Sequence, residues 1–125
     1  MAAQSHKNAA IEFLALVASG RVREAYQHHV GPEFRHHNPF FRGDAASLIE
    51  AMEQNAIKNP NKILEVQRAL QDGKEVAVFS RVRQKPSDVG AAIVHIFRFD
   101  GDRIVELWDI GQAVPENSVN ENGMF

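Results

Sequence analysis

The chain contains no cysteine, which removes disulfides, thiolate nucleophiles and cysteine-ligated zinc from its chemistry. It also lacks any apolar run near the roughly 20 residues that a bilayer-spanning helix needs. The longest run near the start, Phe13 to Ala18, is short and follows Glu12. The same region has no basic segment leading into a long apolar stretch and a small-residue cleavage site, so no signal peptide is read there and a cytoplasmic location is expected. Neither sign of charge dominates: 14 Lys and Arg against 16 Asp and Glu give a net charge of −2. The basic residues are scattered and form no stripe that could follow a phosphate backbone, so nucleic acid is not an expected partner. Internal repeats, linkers and low-complexity segments are absent as well.

With 44% hydrophobic and 24% charged residues over 125 positions, the composition is that of one folded domain large enough for a single core. Residues 1–125 are read as that domain, with residues 115–125 as a polar tail whose Met124 and Phe125 can be pinned to the body or to a partner. Between Ser5 and Ser19, Ile11, Leu14, Ala15 and Ala18 recur at helical spacing, with Ser5 placed as N-cap and Gly20 just past the end. A shorter helix follows from Arg21 to about His29, with Val22, Ala25 and Tyr26 on one face and Gly31-Pro32 as its stop. A short strand over Phe34 to His37 precedes the Asn38-Pro39 turn and a loop carrying Phe40 and Phe41. Asp44 caps a third helix from Ala45 to about Lys58, stopped by Pro60.

After Pro60 the period changes from helical to alternating. Strands are expected over Lys62–Gln71 and Lys74–Gln84, joined through Asp72-Gly73, and then as a hairpin between Gly90 and Gln112 that turns at Asp100-Gly101-Asp102. In its first strand Ile93, His95, Phe97 and Phe99 share a face. In an unbroken second strand Ile104, Glu106, Trp108, Ile110 and Gln112 share one face, and Arg103, Val105, Leu107 and Asp109 the other. Helices followed by an antiparallel meander indicate an α+β fold with the sheet wrapped on one side of the helices.

Three local patterns carry a family resemblance: His37-Asn38-Pro39 with Gly43 shortly after; Ile96-Phe97-Arg98-Phe99 with its Asp-Gly turn; and Ile104-Val105-Glu106 leading to Trp108-Asp109 and Gln112. With the order of elements and the closing VPENSVNENGMF, the chain resembles the SnoaL-like, polyketide cyclase-related proteins of the nuclear transport factor 2-like superfamily. The resemblance implies a cystatin-like cone of curved sheet closed by three helices, a homodimer, and cofactor-free, metal-free acid/base chemistry in an apolar pocket. The substrate it implies is a carbonyl compound with an acidic C–H. Characterised cyclases of this type use an aspartate four residues after the tryptophan, where this chain has Gln112. Relatives also tend to have histidine at the positions of Phe79, Arg81 and Leu107, and an acid at that of His95.

The candidate catalytic residues are His37, His95 and Asp109. Histidine titrates near neutrality and moves protons in either direction, and a carboxylate desolvated beside an indole can serve as a base. The structural alternatives are that His37 only braces the Asn-Pro turn, that His95 is a core residue, and that Asp109 pairs with a cation such as Arg103. Phe34, Asn38, Phe40, Phe41, Trp108 and Gln112 are the expected pocket residues. The pairs His28-His29 and His36-His37 do not read as metal sites, because adjacent side chains diverge and each pair can offer one ligand to a point. The functional expectation is a small-molecule pocket that catalyses cyclase-, aldol- or isomerase-type proton transfer; a non-catalytic ligand-binding or interaction module is the alternative.

Overall fold

In a computed structural model that describes residues 5–125, three helices pack on one face of a five-stranded mixed sheet. The helices are α1 (His6–Ala18), α2 (Val22–His29) and α3 (Ala45–Lys58); the strands are β1 (Val30–His36), β2 (Ile63–Asp72), β3 (Glu75–Arg83), β4 (Ala91–Asp100) and β5 (Arg103–Ala113). The Ser5 side chain caps α1 through the Asn8 amide, and Asp44 caps α3 through that of Ser47. Gly20 takes φ +90° directly after α1, a conformation that costs glycine least. Among the described residues, no helix is long and apolar enough to cross a membrane.

The strand order is β1-β5-β4-β3-β2, with β1 parallel to β5 and the rest antiparallel. β1 is longer than the alternation suggests and runs through Gly31-Pro32, a pair that by itself signals a stop. An edge strand tolerates a proline because its missing N–H leaves no ladder bond unmade on the open side. At Gly31 the strand runs close to β5: a Cβ there would make ordinary contact with Arg103 Cβ at 3.4 Å and Val105 Cγ1 at 3.5 Å.

Two bulges decide which side chains face the helices. The β2–β3 register shifts between Val66 and Arg68, and the β4–β5 register between the Arg98–Glu106 and Phe99–Ile104 pairs. The second bulge, at Val105, corrects the unbroken-strand reading of β5. Ile104 lies on the inner face with Leu107 and Asp109, whereas Glu106, Trp108, Ile110 and Gln112 face outward. Leu107 is therefore core, paired with Phe97, and leaves no apolar patch to water.

The core is a layer of aromatic rings and β-branched side chains between helices and sheet. Phe13 meets Tyr26 and Phe97 edge-on, and Tyr26 meets Phe34 in the same way. Val22, Val76, Val78, Phe97, Phe99 and Ile104 are essentially inaccessible to solvent. Burying a side chain of this kind contributes about 1.5–3 kcal/mol.

Candidate functional site

The inner face of the sheet is not filled to its end. Beyond the aromatic layer a chamber of about 200 Å³ lies between Leu14, Val17 and Ala18 of α1, Met52 and Asn55 of α3, and the ends of four strands. Its walls are apolar except at a few places: Asn55, Lys62, Gln84, His95 and Asp109. At roughly 30 Å³ per molecule of liquid water it has room for about seven waters.

His95 and Asp109 are directly opposed across β4 and β5, which places their Cβ atoms about 5 Å apart on the same wall. His95 is half-buried, and desolvation pushes its pKa down to about 4 against the pull of the Asp109 charge. Its Nδ1 is buried without a protein partner. The imidazole is therefore neutral at physiological pH.

Asp109 is oriented by the loop after β1. Asn38 donates from Nδ2 to Asp109 Oδ2 at 3.1 Å, while its own Oδ1 accepts from the Phe40 amide at 3.0 Å. The Asn-Pro turn thus closes on itself and presents one amide to the carboxylate. Tyr26 also lies within the field of Asp109: burial first, and then that charge, raise its phenol above the usual range.

His37 is elsewhere. Its neighbour His36 turns inward beside Phe34, and alternation along the strand sends His37 to the outer face. There it stacks on Trp108 with ring centroids 4.8 Å apart, and its Nε2 meets Glu106 Oε2 at 2.6 Å. Arg35 and Arg98 bind the same carboxylate at 3.0 and 2.7 Å. The His37 hydrogen bond, followed by those from Arg98 and Arg35, outweighs desolvation and holds Glu106 down to about 2.

Of the residues expected at the site, the structure thus brings Asn38, His95 and Asp109 together. Trp108 and Gln112 lie on the outer face, opposite Ile96 and Ala92. Phe34 is core, Phe40 is 84% exposed and Phe41 is also at the surface. The position where the family resemblance implies a catalytic aspartate, Gln112, does not open onto the chamber; Asp109, three residues earlier, does.

Sequence reasoning passes over His36, Asn55 and Lys62. The alternation Phe34-His36 is a usable signal for the first, since it puts His36 on the apolar face. His36 Nδ1 accepts from the Asn38 amide at 3.1 Å, and its Nε2 is buried without a partner. Asn55 and Lys62 carry no such signal, because their convergence depends on how the connection after α3 turns back at Asn59. Among the described residues, no three His, Asp or Glu side chains converge as metal ligands.

Three helices packed on a curved mixed sheet, with a small chamber between them, define the class: an α+β domain of the nuclear transport factor 2-like kind. The particular family follows from the sequence: the model of the SnoaL-like domain matches residues 10–107, and the chain belongs to that family. No curated protein matches the sequence.

Solved structures with this nuclear transport factor 2-like fold include one of unknown function from Cytophaga hutchinsonii, at 16% identity and TM-score 0.69, covering 90% of this chain and 95% of the other. AclR of Streptomyces galilaeus, a candidate hydroxylase, is 21% identical with TM-score 0.73 over 86% of this chain and 88% of its own. A candidate polyketide cyclase from Acidithiobacillus ferrooxidans is 18% identical with TM-score 0.67 over 90% and 92%. Such likenesses establish the fold, while the chemistry belongs to each site.

Proposed function

We propose that this protein binds a small carbonyl compound in its chamber and moves a proton from the carbon next to the carbonyl, without a cofactor. Asp109 takes the proton: the C–H bond breaks, an O–H bond forms on the carboxylate, and the electron pair moves onto the carbonyl oxygen as an enolate. Neutral His95 donates an N–H to that oxygen as charge develops there. Asn38 is a positioning residue that keeps one carboxylate oxygen turned to the chamber.

The observation that carries this reading is the opposition of Asp109 and His95 on one wall of an otherwise largely apolar chamber. Membership of a family with a cyclase-related name and likeness to a candidate cyclase support the class of chemistry. The exposed Ile110 beside Trp108 on the outer sheet face supports a working homodimer through that face.

The test is deuterium exchange into a panel of small ketones and oxo acids, followed by NMR. Asp109→Asn should slow exchange by about 10²- to 10⁴-fold while the protein stays folded. Exchange that is indifferent to this substitution, or absent from the whole panel, removes the catalytic reading. The chamber would then belong to a binding module.

A further inference from the structure

Lys62 stands at the mouth of the chamber. It lines the chamber on one side and, on the other, a shallow surface groove with Ala15, Ala18, Ser19 and Leu64. Its side chain is part-buried, and desolvation lowers its pKa. The ammonium donates to Asn55 Oδ1. Among the described residues no carboxylate lies within ion-pairing distance of it, and Glu65, the nearest acid along the strand, is held by Arg83. Asp109 shares the chamber wall but is engaged by Asn38.

A part-buried cation that opens onto a cavity and lacks a counter-ion is a site for an anion. We infer that Lys62, with the Asn55 side chain beside it, recognises a carboxylate on the ligand, so that the chamber takes a small oxo-carboxylate with its charged end at the mouth and its carbonyl end toward His95 and Asp109. The carbonyl half of this inference rests on the function proposed above; the carboxylate half rests on Lys62 alone. The size of the chamber limits the molecule to about the room of seven waters. The charge pattern also gives direction: Asp109 repels a carboxylate at the inner wall, and Lys62 attracts it at the mouth.

The experiment compares binding, by calorimetry, of pyruvate, 2-oxobutanoate and levulinate with that of their methyl esters to the full-length protein. At least one acid should bind about tenfold or more tightly than its ester. Lys62→Met should abolish that preference by weakening acid binding more than ester binding, while Lys62→Arg should retain part of it. Equal affinity for acid and ester across the panel, no binding by any acid, or a preference that survives Lys62→Met overturns the inference. Deuterium exchange into the same compounds separates the two readings. If the wild type prefers the acid but exchanges no deuterium into it, carboxylate recognition stands and the catalytic proposal fails. If exchange is robust on the neutral esters and Lys62→Met changes nothing, the reverse holds.

Discussion

Strand β5 carries two carboxylates three residues apart that face opposite sides of the sheet and live in opposite surroundings. Glu106 on the outer face is bound by two guanidinium groups and an imidazole. Asp109 on the inner face accepts from a neutral amide and stands opposite a histidine that burial keeps neutral. A carboxylate ringed by cations is fixed as an anion and has little use as a proton acceptor. One strand thus holds a carboxylate bound by cations on its outer face and a carboxylate that opens onto the chamber on its inner face.

The largest expected effect breaks that comparison at the chemistry. Asp109→Asn should remove exchange by at least about 10²-fold, whereas Glu106→Gln, assayed on the folded fraction, should leave it within about twofold. If the two variants lose exchange equally, the distinction drawn between the two faces is wrong.

The pH dependence of stability sharpens the comparison, since the two sites act in different windows. The folded pKa of His95 is about 4, below its ordinary 6.5. Between those values the unfolded chain takes up a proton that the folded chain refuses. Stability is therefore full above pH 6.5 and declines as pH falls toward 4, by on the order of 3 kcal/mol. Denaturant melts of His95→Gln should show this decline flattened. A variant that keeps the wild-type slope would mean that the ring is hydrated and titrates normally.

Glu106 is held at about 2 against an ordinary 4.5. The stability it contributes is present above pH 4.5 and is lost as pH falls toward 2. At neutral pH Glu106→Gln removes charge-assisted hydrogen bonds and should cost about 1.5–3 kcal/mol. The same variant should flatten the acid limb below pH 4.5 and leave the limb above it intact. A neutral-pH melt identical to wild type would mean that the three partner side chains are satisfied by water.

The smallest effect concerns the end of the chain. Phe125 stacks on Phe79 at 5.8 Å, with the Arg81 guanidinium 5.3 Å from its ring. Phe125→Ala should lower stability by about 0.5–1 kcal/mol and leave exchange unchanged. A larger loss would mean that the tail braces the sheet rather than resting on it.

Much of the fold can be read directly from the residues. The caps Ser5 and Asp44, the Asp-Gly turns and the change from helical to alternating period mark local preferences of the backbone, and these survive into the folded chain. The site is legible only in part. Asn38, His95 and Asp109 stand out by residue type and pattern, but their meeting cannot be read. His37 does not join them because, of two adjacent histidines, strand alternation buries only one, and here it buries His36.

The sequence by itself determined the element order, the α+β class, the family and the chemical kinds of group available to the site, because each follows from short-range patterns. Only the tertiary structure decided which groups share the chamber. A single extra residue at Val105 reverses the facing of Ile104 relative to the rest of β5, and the turn after α3 brings Lys62 back to Asn55 at the mouth. The facing of β5 and the pairing of His95 with Asp109 depend on strand register, of which local backbone preference carries no record.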